Sequence, residues 1–469
     1  MTSKILEAMT AIVGPGSVLT GEQTKAYCTD WRGRYSGSAL AVVLPADTNQ
    51  VSELLKLCDA NRIAVVPQGG NTSLSGASVP LANCDCLQIV INLSRMNRIH
   101  SVDPLNYTMT VEAGCTLASL YEAAEEADRL FPLGLTAIAP QCEIGGNLST
   151  NAGGLGVLHY GNARDLVLGI EVVLPDGRVW NGLRSLRKDN TGYDLKHLFI
   201  GAEGTLGIIT AAVLKLYPRP KSTSTACIAV RDPAAAVGLL AHLRTVCGDR
   251  ISAFELISRS CLELVFKHIT GIEEPLAGKS EWIVITQLTD VLPAPLDRLL
   301  QRALESFGGD ISEFAVTENR EHAERWWKLR KNISEAQKRE GMSVKHDIAV
   351  PVSRVADFIA RADRELLDAF PGVRIVAFGH MGDGNIHYNL SMPGPKENSD
   401  FIGTSESAVN RIVYNVVRDL GGSISAEHGL GQLKRDEIRH YKSTLELDLM
   451  RDIKRTLDPH GLMNPGKVL

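Results

Sequence analysis

Three glycine-rich segments restrict what this chain can fold into more than any other feature. They occupy residues 67–76, 140–154 and 199–210, and the first directly follows a strand-like apolar run. Glycine permits tight turns in which backbone N–H groups converge, and such a nest binds anions. Taken alone, the first segment is equally compatible with a phosphate-binding loop and with a plain surface loop. Three such segments close together in the chain predict one large, extended cofactor that the backbone approaches closely.

Two common nucleotide-binding patterns are absent from the sequence. The dinucleotide fingerprint G-x-G-x-x-G between a strand and a helix does not occur, and neither does the P-loop pattern G-x-x-x-x-G-K-[ST]. Both patterns place phosphates at the start of a helix. Their absence argues against NAD on a Rossmann fold and against ATP on a P-loop.

A second feature is a glycine-laced hairpin that carries two histidines. Residues 373–378 and 386–392 predict two strands, and the turn between them brings His380 and His387 together as cross-strand neighbours. Two imidazoles make a pair of candidate metal ligands, and Glu427 offers a carboxylate further along the chain. Such a set leaves coordination positions open, as a catalytic metal requires. Two surface histidines and an unrelated glutamate remain the alternative.

Composition limits the class of protein. The chain has 469 residues, of which 44% are apolar and 22% charged, so a globular protein of two or more domains is expected. A net charge of −5 gives no electrostatic basis for nucleic-acid binding. Nine scattered cysteines predict reduced thiols and a cytoplasmic protein. The sequence contains no run of 18 apolar residues, so no membrane span is predicted. The N-terminus matches neither a signal peptide nor a transit peptide.

Strand and helix patterns alternate along the chain and predict an α+β fold. Residues 39–66 have the pattern of a strand–helix–strand unit, and two prolines at 218 and 220 mark a boundary. Residues 318–340 predict one long polar helix, in which Arg330 and Ser334 share a face because they are four residues apart. A solvated basic face is the alternative for this helix.

The glycine segments resemble the FAD segments of the vanillyl-alcohol oxidase / p-cresol methylhydroxylase superfamily. The matching motifs are P-x-G-G-N-T from residue 67, I-G-G-N from 144 with T-N-A-G-G from 150, and E-G-T-L-G-I-I-T from 203. The resemblance covers nearly the whole chain. It implies a two-lobed FAD-binding domain (1–218), an α+β cap domain over the flavin (219–425) and a C-terminal segment (426–469) that returns to the FAD domain.

The resemblance also implies which residues contact FAD. The expected contacts are Gly69, Gly70, Asn71, Thr72, Ser73, Pro140, Ile144, Gly145, Gly146, Thr150, Asn151, Ala152, Glu203, Gly204, Ile209 and Asn464. Some members of the superfamily tether the flavin through a histidine in the first loop. The corresponding positions here are Gln68, Gly69 and Gly70, so we expect FAD to be bound non-covalently.

Within the superfamily the chain resembles the D-2-hydroxyglutarate dehydrogenase branch. The resemblance rests on W-K-L-R at 327–330, Ser334, Lys345, P-V-S at 351–353, G-H-x-G-D-G-N-x-H-x-N at 379–389 and E-H-G-x-G at 427–431. It implies that His380, His387 and Glu427 bind a divalent metal, with zinc expected first and Mn, Fe and Co open. It also implies that His428 is the general base in a reaction that passes a hydride to flavin N5.

The same resemblance implies the substrate. Arg330, Ser334, Lys345 and Asn389 would bind D-2-hydroxyglutarate in preference to D-lactate, with D-malate as a further substrate. Members of the branch usually have threonine in place of Ser334.

Several alternatives stay open at this stage. They are a D-lactate or glycolate dehydrogenase of the same superfamily, an alkylglycerone-phosphate synthase-like flavoenzyme without net redox chemistry, and a non-catalytic flavin-binding protein. As partners the resemblance implies an electron-transfer flavoprotein as electron acceptor and a second copy of the chain in a homodimer.

Overall fold

Two structural units share the chain in the computed structural model, which describes residues 2–135 and 138–469. The first unit contains residues 1–153, 161–219 and 427–469. The second contains residues 154–160 and 220–426. Helices and strands are numbered in chain order below. Among the described residues, no helix is both long enough and apolar enough to cross a membrane.

The first unit contains two main sheets. Its strands are β1 (Val18–Leu19), β2 (Val42–Val43), β3 (Ala64–Gln68), β4 (Gln88–Asn92), β5 (Ile99–Asp103), β6 (Thr108–Glu112), β7 (Arg129–Leu130), β8 (Val167–Val173), β9 (Val179–Gly182), β10 (Ile208–Lys215) and β11 (Tyr217–Pro218). Strands β2, β4 and β3 run parallel in a sheet ordered β1-β2-β4-β3, whereas the sheet β5-β6-β10-β8-β9 is antiparallel. Strands β7 and β11 form a separate pair.

The first unit also contains helices. They are α1 (Thr2–Val13), α2 (Lys25–Cys28), α3 (Thr48–Asn61), α4 (Leu117–Glu126), α5 (Ile144–Ser149), α7 (Lys196–Phe199), α15 (Ile438–Tyr441) and α16 (Thr444–Leu457). The start of α3 follows from its sequence, since the Asp47 carboxylate accepts a hydrogen bond from the Gln50 N–H at 2.9 Å. Its apolar side, including Leu54 and Leu55, is buried against Ile89 and Ile91 of β4.

The second unit is built on one antiparallel sheet ordered β15-β12-β14-β13-β17-β18-β16. Its strands are β12 (Ser222–Val230), β13 (Ile251–Ser258), β14 (Trp282–Asp290), β15 (Ile311–Thr317), β16 (Val344–Ala349), β17 (Arg374–Gly379) and β18 (Asn385–Ser391). Its helices are α6 (Val157–Tyr160), α8 (Pro233–Cys247), α9 (Arg259–His268), α10 (Leu296–Phe307), α11 (Arg320–Lys331), α12 (Ile333–Glu340), α13 (Val355–Ala369) and α14 (Pro395–Asp419). Leu329 of α11 and Ile333 of α12 join a buried apolar cluster with Ile257 and Phe378 of the sheet.

Two expectations differ from this structure. A single helix was expected over residues 318–340, but the structure has two helices there. The first helix ends at Asn332, whose N–H donates to the carbonyls of both Lys328 and Leu329. Cys84 and Cys86 are joined by a disulfide, although reduced thiols were expected. One residue between them places their Cα atoms 5.1 Å apart, within the range that a disulfide spans. The other seven cysteines are free and buried.

Candidate functional site

The glycine-rich segments meet in the first unit, where they line one groove of about 290 Å³. Strand β3 runs into the first segment, α5 begins in the second, and β10 begins at the end of the third. Predicted cofactor residues that line the groove are Gly69, Gly70, Asn71, Thr72, Ser73, Gly145, Gly146, Thr150, Ala152, Glu203, Gly204 and Ile209. The arrangement brings backbone from distant parts of this unit to one surface.

The first loop has the properties of an anion cradle. Within the described ranges, the backbone N–H groups of Gly70, Asn71 and Thr72 donate no hydrogen bond to the protein. Asn71 has a positive φ of 52°, and a Cβ atom at Gly70 would lie 1.7 Å from the Gln141 carbonyl oxygen. Only glycine fits at position 70. Unpaired, converging N–H groups fit a pyrophosphate.

The start of α5 brings backbone to the groove wall in two ways. A Cβ atom at Gly145 would lie 2.7 Å from the Ala113 Cβ, so the glycine is required for packing inside the protein. At Gly146, which lines the groove, nothing lies within 4 Å of the corresponding position. A side chain at Gly146 would therefore project into open space in the groove, which is consistent with close approach of a ligand there.

Sequence reasoning missed Glu143, a buried acid that lines the same groove. Burial raises the pKa of its carboxyl to about 8, and its Oε2 atom has no hydrogen-bond partner among the described residues. The neighbouring Asn147 Oδ1 is also buried without a partner in the described part of the chain. Both groups supply hydrogen-bonding capacity that a bound molecule would satisfy. The sequence did offer one signal for this residue, because Glu143 is an acidic residue between the predicted cofactor contacts Pro140 and Ile144.

The C-terminal segment lies in the first unit and contacts the third glycine-rich segment. Asn464 is buried, and its Nδ2 donates to the Glu203 carbonyl at 2.7 Å and to the Ala77 carbonyl at 3.0 Å. The Glu203 carboxylate accepts hydrogen bonds from the N–H groups of Leu430 and Gly431 at 2.7 and 2.8 Å. Glu203 thus holds the loop that follows the predicted base.

Glu427 and His428 line the groove together with the glycine segments. Their nearest side-chain atoms, Glu427 Oε1 and His428 Nε2, lie 3.8 Å apart. The His428 carbonyl accepts a hydrogen bond from the Ser75 hydroxyl at 3.1 Å, which fixes its backbone to the first loop. The predicted base therefore lies at the same surface as the predicted cofactor contacts.

The second unit contains the histidine hairpin that the sequence predicted. Strands β17 and β18 pair in antiparallel register with Phe378 opposite His387. The His380 and His387 rings are 5.7 Å apart, centre to centre, in an edge-to-face arrangement. His387 Nδ1 lies 3.8 Å from the carboxylate of Asp347, a buried acid on β16 that sequence reasoning did not single out. The chain leaves this unit at Ala426, whose N–H donates to the Asp347 carbonyl at 3.2 Å.

A buried ion network surrounds His380. Glu255 on β13 is 1% exposed, and its Oε1 lies 2.6 Å from His380 Nδ1, while its Oε2 accepts from Arg330 Nε at 2.6 Å. Burial by itself would raise the pKa of Glu255, but the neighbouring His380 and Arg330 hold it at about 2. Arg330 also lies over the Phe378 ring at 4.8 Å. Nothing in the local sequence around residue 255 indicated this role.

The predicted substrate residues lie on four elements of the second unit, the strands β16 and β18 and the helices α11 and α12. Lys345 of β16 pairs opposite Asn389 of β18, so their side chains share one face of the sheet. Asn389 is buried and donates through Nδ2 to Gln337 Oε1 at 2.9 Å. Ser334 is exposed on α12, while Arg330 is buried at the end of α11. The shared helix face expected for Arg330 and Ser334 does not exist, because the helix breaks between them.

The remaining predicted cofactor residues, Ile144, Asn151 and Pro140, lie in the first unit but are not among the residues that line the groove. Ile144 is buried and donates its N–H to the Cys115 carbonyl at 2.9 Å. Asn151 has a φ of 51°, and its Oδ1 accepts from the Arg164 N–H at 2.9 Å. Pro140 is exposed.

Two family models match the chain. The model described as "FAD binding domain" matches residues 39–182, and the model described as "FAD linked oxidases, C-terminal domain" matches residues 219–468.

Relatives and solved structures of similar chains are also known. The chain is 38% identical to the D-2-hydroxyglutarate dehydrogenase, mitochondrial, of Danio rerio, over 97% of this chain and 83% of that protein. It is 37% identical to the protein of the same name from Arabidopsis thaliana, over 100% of this chain and 82% of the relative. A crystal structure of p-cresol methylhydroxylase with substrate bound matches with a TM-score of 0.76 at 18% identity, over 99% and 96% of the two chains. This last likeness concerns the fold, and it confirms the predicted α+β class with an FAD-binding domain of that type.

Proposed function

The chain belongs to the FAD-linked oxidases and, within them, to the family of the D-2-hydroxyglutarate dehydrogenases, and from this premise we propose that it oxidises D-2-hydroxyglutarate to 2-oxoglutarate. The predicted family and the flavin-linked dehydrogenase class are confirmed by this membership. D-malate is proposed as a further substrate. The observation that carries the substrate proposal is similarity over almost the full length of the chain to enzymes of that name.

The groove of the first unit is the proposed FAD site. The free N–H groups of Gly70, Asn71 and Thr72 would hold the pyrophosphate, and the open space at Gly146 would admit the cofactor close to the backbone. We propose non-covalent binding because Gln68, Gly69 and Gly70 occupy the positions where a tethering histidine would stand. FAD, when bound, supplies the acceptor for the C2 hydride.

The proposed metal ligands are His380, His387 and Glu427, with zinc as the ion. The support from the structure is the proximity of the two imidazoles in the hairpin. Glu427 is assigned from the resemblance of E-H-G-x-G at 427–431 to the motif of the family. A divalent ion would supply Lewis acidity to the substrate's carboxylate and 2-hydroxyl.

Proton removal is assigned to His428. Its imidazole lines the groove, and histidine is the side chain that most often acts as a general base, so it would take the C2 hydroxyl proton. The Ser75 hydrogen bond to its carbonyl holds it in place. The hydroxyl proton would thus pass to the imidazole, and the flavin, when bound, would supply the acceptor for the hydride from C2.

Recognition of the distal carboxylate is assigned to Lys345 and Arg330, with Asn389 and Ser334 completing the polar contacts. Lys345 and Asn389 lie on one face of the β16–β18 pair, which places an ammonium next to an amide. A point charge and a planar guanidinium are the two common carboxylate binders. This pair of cations is what would favour a dicarboxylate over D-lactate.

The test is anaerobic bleaching of the flavin absorbance by D-2-hydroxyglutarate, D-malate and D-lactate, before and after EDTA and after zinc is restored. We expect bleaching with the two dicarboxylates, loss of bleaching after EDTA, and recovery with zinc. Equal kcat/KM for D-lactate and D-2-hydroxyglutarate would overturn the substrate assignment. A purified protein without flavin would overturn the cofactor assignment.

Three further proposals concern the electron acceptor, the oligomeric state and the localisation; the first two come from the family resemblance and the third from the scattered cysteines. We propose that an electron-transfer flavoprotein accepts the electrons, that two copies of the chain form a dimer, and that the protein is cytoplasmic, although the relatives above carry mitochondrial names. Reoxidation assays with purified acceptor, light scattering of the purified protein and cell fractionation test them separately.

A further inference from the structure

Glu143 is an acidic side chain in a groove that is proposed to hold an anion. It is 8% exposed, it lines the groove, and its Oε2 atom has no hydrogen-bond partner among the described residues. A Cβ atom at Gly69 would lie 3.3 Å from that oxygen, so the carboxyl group borders the first glycine-rich segment. The next residue, Gly70, carries one of the N–H groups proposed to hold the pyrophosphate. The acid therefore lies beside the proposed pyrophosphate site.

The groove offers no permanently charged cation that could offset a negative charge at this position. Among the described residues that line it, none is a lysine or an arginine. The titratable side chains that line it besides Glu143 are those of Cys142, Glu203, Glu427 and His428. A pyrophosphate in the groove would thus be held chiefly by backbone N–H groups, and an ionised Glu143 beside it would repel it.

The hydrogen-bonding groups at this place also favour the neutral acid. Asn147, one helical turn further on, lines the groove too, and its Oδ1 is buried without a partner in the described part of the chain. An ionised carboxylate and an amide oxygen can only accept hydrogen bonds. The same holds for the oxygens of a pyrophosphate at neutral pH. A protonated Glu143 supplies an O–H donor that this set of acceptors otherwise lacks.

We propose that Glu143 is part of the FAD site in its protonated form, so that the groove holds FAD while this carboxyl carries a proton and releases it more readily once the carboxyl is ionised. This inference rests on the proposed FAD site and deepens it. Binding of the cofactor is thereby coupled to uptake of one proton by one side chain.

The surroundings of Glu143 allow this proton to be kept at neutral pH. Burial alone raises the pKa of its carboxyl to about 8. The nearest thiols are those of Cys115 and Cys142, and burial raises the pKa of both, to about 12 for Cys115. Burial also raises the pKa of Glu203, whose carboxylate accepts two backbone N–H groups of the C-terminal segment. Substitution of Glu143 alone separates its ionisation from that of every other group in the groove.

The experiment measures FAD affinity against pH and begins with the flavin-loaded protein. Dilution releases FAD, and the fluorescence of the released flavin gives Kd at several pH values on both sides of the pKa of about 8. Because only the protonated fraction of the protein binds well, Kd of the unmodified protein should rise about tenfold between about pH 7 and about pH 9.

Glu143→Gln keeps a neutral side chain of similar size, with a donor and an acceptor, at every pH. Its Kd should match that of the unmodified protein at about pH 7 and change by less than about twofold up to about pH 9. Glu126→Gln, at an exposed position of α4, is the matched control and should keep the full rise in Kd.

Thermal unfolding checks that Glu143→Gln is folded, and Glu143→Ala, which also removes the charge, takes its place if it is not. Equal pH profiles for the unmodified protein and the Glu143 variant would overturn the inference and leave the FAD site intact. A Kd of the unmodified protein that does not change with pH would do the same. A purified protein that holds no flavin would overturn the proposed FAD site, and this inference with it.

Discussion

The candidate binding sites of the two units are built from different parts of the chain. In the first unit, the groove is lined largely by backbone and small residues, and its binding groups are N–H groups such as those of Gly70 and Thr72. In the second unit, the histidine hairpin is surrounded by buried side-chain charges, of which Glu255 and Asp347 are the most enclosed. A site formed by backbone N–H groups depends on the local glycine motif and tolerates few changes in it. A site formed by side chains depends instead on residues that the sheet brings together from distant parts of the chain.

This difference predicts where substitutions act. A change in the first unit's glycine segments should affect cofactor affinity with little effect on substrate choice. A change among the charges of the second unit should affect metal binding or substrate choice with the flavin retained. Glu427 and His428 are exceptions, because they lie in the first unit and are assigned to metal binding and to proton removal.

The largest effect is expected at His428. His428→Asn removes the proposed base, and we expect kcat to fall by about 10²- to 10⁴-fold, the usual contribution of a positioned general base. FAD absorbance and content should be unchanged. His440→Asn, an exposed histidine of the same C-terminal segment, serves as control and should retain full activity. Stopped-flow bleaching of the flavin measures the effect, and a loss of less than about tenfold would exclude His428 as the base.

The next largest effect concerns substrate choice. Lys345→Met should lose activity toward D-2-hydroxyglutarate by far more than toward D-lactate, because the distal carboxylate loses one of its two proposed cationic partners, and loss of one member of a buried charge pair costs about 2–5 kcal/mol. The readout is the ratio of kcat/KM for the two substrates. Lys328→Met, at an exposed position of α11, is the matched control. An unchanged ratio would remove Lys345 from the substrate site.

A pH effect on stability is expected from Glu143. Because burial raises the pKa of this carboxyl to about 8 from the ordinary 4.5, the folded protein keeps a proton that the unfolded chain loses between these values. Stability of the flavin-free protein should therefore fall as pH rises from about 5 to 8, by an amount on the order of 4 kcal/mol. Glu143→Gln should flatten this part of the profile. Denaturant unfolding at several pH values measures it, and parallel profiles for the two proteins would contradict the expectation.

The smallest effect separates stability from cofactor affinity. Gly146→Ala places a methyl group in open space within α5, so the flavin-free protein should gain about 0.5–1 kcal/mol from the reduced entropy cost of the helix. The same methyl group projects into the groove and should weaken FAD binding by about tenfold, or 1.4 kcal/mol. Unfolding curves and flavin fluorescence titration measure the two effects. Tighter FAD binding in the variant would show that the cofactor does not approach Gly146.

Much of the local structure could be predicted because its causes are local. The hairpin expected over residues 373–378 and 386–392 appears as Arg374–Gly379 and Asn385–Ser391, since an apolar run, a glycine-rich turn and a second run specify it together. The helix at α3 begins at the cap that the sequence supplies. The prediction for residues 318–340 was wrong in one respect, because propensity alone did not reveal the break at Asn332.

The sequence by itself determined the glycine segments, the order of motifs and the identity of the two hairpin histidines, because each depends on neighbours along the chain. Only the tertiary structure decided that Glu255 lies between His380 and Arg330, which are 125 and 75 residues away in sequence. Only it decided that Glu143 is buried in the groove with a raised pKa. The burial and pairing of charges depend on which strands become neighbours. The local sequence around a charged residue in a strand does not show which distant residue will be its partner.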